Sequence, residues 1–243
     1  MKKLQILVAV GIILLLIAIF PREIDKAAET VMKPWHLPLS GKIIVIDPGH
    51  GGVDGGAVGT SEIIEKNIAL SISLKTRDYL QEQGAYVIMT RETDKDLAPV
   101  GLKGYSNRKR IDLKNRVDLI NSSNTDLYLS IHLNAIPVKS VKGAQVFYYP
   151  SLDENKYLAS KIQEELAAHF STADKTSKSI TSVYLLKRSQ PVGALVEVGF
   201  LSNPDERYLL NKVEYQEKLS SAIYRGVLRY YTDKKNSSEN TNE

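Results

Sequence analysis

The order of apolar and polar residues predicts strands that alternate with helices. Residues 42–47 form an almost continuous apolar run, which is typical of a strand buried on both faces, and glycines follow it directly. Ile64, Ile68 and Ile72 recur at four-residue spacing and predict a helix over residues 62–82 that ends at Gly84. The same patterns predict further strands at 86–90, 126–131 and 145–149, and helices at 112–121 and 154–170.

The C-terminal part of the pattern completes an α/β domain. Asn203 followed by Pro204 and, three residues after the asparagine, Glu206 is a helix-start signal, and apolar residues at three- and four-residue intervals from 219 to 230 predict a last helix with one buried stripe. We expect a single domain, residues 42–231, with a mainly parallel twisted sheet flanked by helices. Ligands of such sheets bind at the carboxyl ends of the strands. The polar residues 232–243 predict a disordered tail.

The first twenty residues predict a targeting segment. Lys2 and Lys3 precede an apolar stretch from Leu4 to Phe20. Its length fits either a membrane anchor or a signal peptide, and no small-x-small cleavage site follows promptly, which favours an uncleaved anchor. A buried core helix is disfavoured because the stretch has no polar face. With the lysines on the cytoplasmic side, the rest of the chain would be exported, and residues 21–41 would be a linker.

Composition limits the possible chemistry. The 243 residues, 43% of them hydrophobic and 25% charged, are enough for one large domain. The absence of cysteine excludes disulfides and thiolate metal sites. A net charge of +4 is too small to identify a partner. A basic cluster in the middle of the chain lacks interleaved aromatic residues, so we interpret it as a solvated face and predict no nucleic-acid binding; it comprises Lys103, Arg108, Lys109, Arg110, Lys114 and Arg116.

Four side chains are candidates for a catalytic site. His50 and His132 follow or end predicted strands, and Glu65 falls in the first turn of a predicted helix. Two imidazoles and one carboxylate form a ligand set that leaves a catalytic metal ion an open position. Taken singly, each histidine could be structural, and Glu65 could simply favour a helix N-terminus. Glu197 interrupts the apolar run 194–198, where a carboxylate is costly and its pKa is raised unless it points outward from an edge strand.

Several motifs, in their order along the chain, resemble those of the zinc-dependent N-acetylmuramoyl-L-alanine amidases of bacterial cell walls. The motifs lie at residues 47–52, 56–57, 65–66, 90–91, 113, 116, 130–135 and 196–203. The resemblance implies a Zn²⁺ ion held by His50, Glu65 and His132, with Glu197 as the catalytic acid-base residue. It also implies hydrolysis of the amide between N-acetylmuramic acid and the L-alanine of the peptidoglycan stem peptide. Glu62 stands where the family commonly has a small residue, and we assign metal binding to Glu65 because Lys66 follows it.

The resemblance extends to the supporting residues and the biological setting. We expect Asp47 and Asn134 to hold the two histidines in place. A short, membrane-anchored chain without wall-binding repeats is most similar to amidases of spore-cortex maturation, which prepare muramic lactam formation needed for germination. A vegetative wall-turnover amidase and a non-catalytic peptidoglycan-binding or regulatory protein of the same fold are the alternatives. No phosphate-binding loop and no serine-hydrolase elbow is present, and the sequence identifies no protein partner.

Overall fold

The computed structural model describes residues 37–60, 63–170 and 175–239, together with Gln5. The chain divides into two compact units, residues 1–37 and residues 38–243. The predicted targeting segment, apart from Gln5, and the predicted linker up to residue 36 lie outside the described residues. Within the described residues, no helix is both long and apolar enough to cross a membrane.

A six-stranded sheet forms the centre of the second unit. Its strands are β1 (Ile43–Pro48), β4 (Tyr86–Met89), β5 (Leu127–Asn134), β6 (Gln145–Tyr148), β7 (Lys178–Ser179) and β8 (Val192–Phe200). Their order is β4-β1-β5-β8-β6-β7. All neighbours are parallel except β6 and β8, which confirms the predicted mainly parallel sheet. Two short strands, β2 (Val58–Thr60) and β3 (Ile63–Ile64), pair separately as an antiparallel ladder.

Six helices are described in this unit. They are α1 (Glu65–Glu82), α2 (Tyr105–Ser122), α3 (Asp153–His169), α4 (Tyr184–Arg188), α5 (Pro204–Leu210) and α6 (Val213–Glu239). Helices α1, α3 and α6 pack together on one face of the sheet, over Ile44, Ile46 and Leu129, whereas α2 and α4 cover Val45 and Tyr128 on the other face. Because both faces are covered, β1 is apolar at successive positions.

Three helix boundaries differ from those predicted by three residues or more. Helix α1 begins at Glu65, because Ile64 has an extended backbone and pairs in β3. Helix α2 begins at Tyr105 instead of residue 112, because its first seven residues bury no side chain and therefore carry no apolar periodicity. Helix α6 continues to Glu239, beyond residue 232 where the sequence predicts disorder, since extending a formed helix adds one hydrogen bond per residue.

The Asn203 helix-start signal is confirmed. The side-chain oxygen of Asn203 accepts a hydrogen bond from the backbone N–H of Glu206 at 2.9 Å, and Pro204 is the first residue of α5. The short elements β2, β3, β7 and α4 were not predicted, because segments of two to five residues do not show a period.

Candidate metal centre

The structure brings His50, Glu65 and His132 together at the carboxyl ends of β1 and β5. His50 follows β1, His132 lies near the end of β5, and Glu65 is the first residue of α1. His50 Nε2 lies 3.2 Å from Glu65 Oε2, and His132 Nδ1 lies 3.0 Å from Glu65 Oε1. One ligand atom from each of the three residues lies within 4.8 Å of the other two, so the group could hold a metal ion.

The donor spacing fits a single small ion. Metal–ligand bonds of about 2.0–2.1 Å in a tetrahedral site place neighbouring donors about 3.3 Å apart. The observed separations of 3.0 and 3.2 Å between the imidazole nitrogens and the carboxylate oxygens are close to that value. The 3.2 Å separation is to Oε2 of Glu65 and the 3.0 Å separation is to Oε1, and one ligand atom from each residue lies within 4.8 Å of the others, so the three residues could share one ion.

Glu65 is held as an ionised ligand. Its side chain is buried, and each oxygen accepts a backbone N–H: Oε1 from Leu133 at 2.9 Å and Oε2 from Ala57 at 2.7 Å. Burial raises the pKa of this carboxyl group, but the hydrogen bonds and charges of His132 and His50 outweigh burial and lower it well below its usual range. Glu65 is thus charged and oriented, while Glu62 lies outside the described residues.

Two buried arginines hold the loop that carries His50. His50 has a φ of 60°, a left-handed conformation that is uncommon for a residue with a side chain. Arg116 donates to the carbonyl oxygens of His50 at 2.6 Å and Pro48 at 2.8 Å, and Arg91 donates to those of Gly49 at 2.8 Å and Pro48 at 3.0 Å. These bonds compensate for the backbone strain and fix where the imidazole of His50 projects.

The predicted supporting roles of Asp47 and Asn134 are wrong. Asp47 accepts hydrogen bonds from Thr90, Ser130 and Arg116, each at 2.7 Å, and bonds to neither imidazole. Burial raises its pKa, but the charges of Arg116 and His132 and the hydrogen bonds from Thr90 and Ser130 together outweigh burial, and the net pKa is lowered. Among the described residues, Asn134 makes no side-chain hydrogen bond to a histidine; its backbone carbonyl instead accepts from the N–H of Leu201.

A loop residue that the sequence analysis missed approaches His50 instead. Asp54 Oδ2 lies 3.0 Å from His50 Nδ1, on the opposite side of the ring from Glu65. Burial lowers the pKa of His50, but the hydrogen bonds and charges of Asp54 and Glu65 outweigh burial and raise it to about 9. A bound cation would oppose that protonation, because it needs the neutral imidazole.

Glu197 faces the same site from β8. It is in register with His132 on the neighbouring strand, and β8 lies between β5 and β6, so the edge-strand alternative for Glu197 is excluded. The Glu197 Oε2 atom is buried and has no hydrogen-bond partner among the residues that the structure describes. Burial raises the pKa of Glu197 to about 7, with the charge of His132 lowering it and that of Glu65 raising it. Its carboxyl group can therefore gain or lose a proton near neutral pH.

A cavity of about 280 Å³ opens over these residues. His50, His132 and Glu197 line it, and its walls include Lys109 and Leu113 of α2 and Tyr184 of α4. The sequence analysis did not assign Lys109 to the site, because its contacts with the cavity arise only when α2 is packed against the sheet.

Comparisons with known proteins agree with this arrangement. Residues 44–229 match the family model described as N-acetylmuramoyl-L-alanine amidase. The chain is 57% identical over 202 residues to the germination-specific N-acetylmuramoyl-L-alanine amidase of Bacillus subtilis (strain 168), covering 83% of this chain and 85% of that protein. It is 34% identical over 196 residues to the amidase LytC of the same organism, covering 80% of this chain and 36% of LytC.

Solved structures show the same fold. The chain is similar to the CwlD amidase from Clostridioides difficile, solved in complex with the GerS lipoprotein, with a TM-score of 0.76 and 39% identity. The match covers 79% of this chain and 99% of that one. An N-acetylmuramoyl-L-alanine amidase from Clostridium difficile 630 matches with a TM-score of 0.68 and 30% identity, covering 78% of this chain and 96% of that one.

Proposed function

We propose that this chain, which belongs to the N-acetylmuramoyl-L-alanine amidase family, hydrolyses its peptidoglycan substrate with a zinc ion held by His50, Glu65 and His132. The bond cleaved joins the lactyl group of N-acetylmuramic acid to the L-alanine of the stem peptide. One observation carries the proposal: three candidate metal-ligand atoms lie together, and the buried Glu197 Oε2 atom on the neighbouring strand has no hydrogen-bond partner in the described part of the chain.

Zinc is the ion that suits the donors and the reaction. Two imidazole nitrogens and one carboxylate oxygen form a ligand set used by catalytic zinc sites, which leave the fourth position for water. Iron(II) oxygenases also use two histidines and one carboxylate, but amide hydrolysis involves no change of oxidation state. A redox-inert ion is therefore sufficient.

In the proposed mechanism Glu197 transfers the proton and Glu65 holds the imidazoles in place. A bound zinc ion supplies an acidified water and polarises the scissile carbonyl group. Glu197 accepts a proton from the attacking water as the carbon–oxygen bond forms, and donates that proton to the amine nitrogen as the carbon–nitrogen bond breaks. Burial raises the pKa of Glu197 and the charge of a bound cation would lower it, and this balance suits a residue that acts first as a base and then as an acid. Glu65, held by two backbone N–H groups, keeps both imidazoles in place throughout.

The relatives favour a role in the spore cortex. The germination-specific relative is matched over most of both chains, whereas the chain covers only 36% of LytC. We assign this chain to cortex maturation before muramic lactam formation, with vegetative wall turnover as the alternative. The family acts outside the cytoplasm, and in our proposal residues 1–20 anchor the chain to the membrane. The rival non-catalytic role is disfavoured because Glu197, His50 and His132 line one cavity and Glu65 completes the ligand group with the two histidines.

The experiment that tests this function combines product analysis with metal content. Purified full-length protein is incubated with muropeptides, with and without added zinc, and the products are identified by mass spectrometry. Free stem peptides with a new alanine amino terminus are expected only with zinc. Glu197→Gln should lower the rate by about 10²-fold or more while keeping the metal, and Glu65→Gln should lose both. The control is Glu92→Gln, which removes an exposed carboxylate that pairs with Arg77.

Three results would contradict the proposal. Products cut at a glycosidic bond, or within the stem peptide, would exclude the amidase reaction for this chain. Full activity of Glu197→Gln would exclude the assigned proton transfer, and normal zinc content in Glu65→Gln would exclude the assigned ligand set.

A further inference from the structure

The carboxylate of Asp54 lies between the candidate ligand His50 and helix α2. Its Oδ2 atom is 3.0 Å from His50 Nδ1 and 2.9 Å from Lys109 Nζ. Its Oδ1 atom accepts hydrogen bonds from the Tyr105 hydroxyl at 3.0 Å and from the N–H of Gly56 at 3.2 Å. The residue is buried, with 6% of its surface exposed. A loop carboxylate is thus linked at once to a candidate metal ligand and to a helix.

We propose that Asp54 is a positioning residue for the metal centre and that Tyr105 and Lys109 hold it in that role. The inference rests on the proposed function, because it assumes that His50 binds the metal. Asp54 itself contacts neither the metal position nor the substrate in this assignment. It acts through the ring of His50.

The contacts of the two ring nitrogens of His50 explain why Asp54 is assigned a positioning role. Nε2 faces the other ligands, 3.2 Å from Glu65 Oε2, and Nδ1 faces Asp54. An imidazole that binds a metal through one nitrogen must carry its proton on the other, and a carboxylate that accepts this N–H fixes both the tautomer and the ring orientation. His50 Nδ1 and Asp54 Oδ2 are within hydrogen-bond distance, although Nδ1 makes no hydrogen bond of acceptable geometry to the described residues. Asp54 is therefore placed to accept the N–H of the neutral, metal-binding form of His50 after a small rotation of the ring.

Helix α2 supplies the contacts that orient the Asp54 side chain, which the loop itself does not provide. Asp54 belongs to a tight turn whose backbone pairs Gly51 with Asp54 in both directions, at 2.9 and 3.1 Å, but this pairing does not orient its side chain. Tyr105 and Lys109 are four residues apart, on the same face of α2, so one helix face presents a hydroxyl and an ammonium group to one carboxylate.

The ammonium group of Lys109 also balances the local charge. Two carboxylates, Asp54 and Glu65, flank His50. Lys109 Nζ lies 2.9 Å from Asp54 Oδ2, so its positive charge offsets one of the two negative charges beside His50. Because Lys109 is 39% exposed, replacing it leaves no cavity in the hydrophobic core.

The test measures zinc affinity and folding stability separately in the full-length protein. Zinc dissociation constants come from competition with a fluorescent chelator, and stability comes from denaturant unfolding of the zinc-free protein. Asp54→Asn keeps the side-chain volume but weakens the acceptor, and it should raise the dissociation constant about 10- to 100-fold. Lys109→Met should raise it by a smaller factor, and the unfolding midpoint of the zinc-free protein should stay close to that of the parent in both variants.

Matched variants separate the proposed role from a structural one. Lys114→Met removes a lysine from the same helix whose ion pair with Asp118, at 2.6 Å, is exposed, and it should leave zinc affinity unchanged. In the Asp54→Asn background, Lys109→Met should have no further effect on zinc affinity, because Lys109 acts only through Asp54. A merely structural link would change stability and would not give this pattern.

The outcomes distinguish this inference from the proposed function. If Glu65→Gln or His132→Ala binds zinc as tightly as the parent, the assigned metal centre itself is wrong. If those variants lose zinc while Asp54→Asn binds it normally, only the role of Asp54 is excluded. A loss of affinity from Lys109→Met that persists in the Asp54→Asn background would exclude the proposed chain of contacts. If Asp54→Asn does not fold, unchanged zinc affinity in both Lys109→Met and Tyr105→Phe would exclude it.

Discussion

Replacing Arg116 by methionine should destabilise the domain strongly. The Arg116 side chain is 1% exposed and forms ion pairs with Asp47 at 2.7 Å and Asp112 at 2.9 Å. It also donates to the carbonyl oxygens of Pro48 and His50. Methionine is about as long but donates no hydrogen bond, so two buried carboxylates and two carbonyl groups lose a partner.

The expected magnitude follows from that burial. Removing one partner of a buried ion pair costs about 3–5 kcal/mol, because the remaining charge is left desolvated. Asp47 keeps the hydroxyl groups of Thr90 and Ser130, and Asp112 keeps the N–H of Leu97, so we expect the lower half of that range. For a domain of this size, the loss corresponds to a fall in melting temperature of about 6–16 °C.

Denaturant unfolding followed by circular dichroism measures this loss. The matched control is Lys114→Met, which breaks another ion pair on α2 with the same four-residue spacing, between side chains that are 57% and 56% exposed. It should change stability by no more than about 0.5 kcal/mol. If Arg116→Met were as stable as Lys114→Met, the argument that buried charge pairing holds the His50 loop would be refuted.

Three further predictions concern single contacts elsewhere in the domain. Gly226→Ala places a methyl group 2.5 Å from the backbone Cα of Ile162. Thermal unfolding should therefore show that the free energy of unfolding falls by about 1–3 kcal/mol, in spite of alanine's higher helix propensity, and an unchanged melting temperature would contradict the contact. Asn203→Ala removes the cap on the N–H of Glu206 and should cost about 1 kcal/mol by urea unfolding, whereas Asn203→Ser should recover most of it. The pKa of Asp47 is lowered in the folded state, so the stability it contributes is complete above its unfolded pKa of about 3.9 and is lost as pH falls through the folded pKa. The difference in unfolding free energy between the parent and Asp47→Asn should therefore be constant from pH 7 to 5 and shrink only in stronger acid. A decrease already between pH 7 and 5 would contradict the assigned direction of the pKa shift.

Local patterns in the sequence were sufficient to predict the main strands and helices. Continuous apolar runs predicted β1 and β5, because strands covered on both faces need apolar side chains at every position. The cap at Asn203 was also readable, since its side chain bonds within three residues along the chain. Helix α2 was predicted too short, because its first two turns are solvated and their register depends on contacts made by Tyr105 and Lys109.

The candidate ligands were predictable for a topological reason. His50 and His132 follow or end strands predicted to be parallel, and the carboxyl ends of neighbouring parallel strands meet at one edge of the sheet. That Glu65 lies between them depended on the resemblance to the amidases, because a glutamate in the first turn of a helix has a simpler explanation. Their assignment as metal ligands stays a proposal, now supported by donor separations of 3.0 and 3.2 Å.

What the sequence determined by itself was the set of elements, their class and the residue types available for chemistry, because these depend on neighbours within a few positions. Only the tertiary structure decided which charged side chains became partners. Asp47 was expected beside a histidine and instead bonds to Arg116, 69 residues away, while Asp54 reaches His50 and also contacts Lys109 of α2. The pairing of these charged side chains depends on how a helix packs against the sheet and on which charges are desolvated at the same place. Neither can be predicted from the local order of residues.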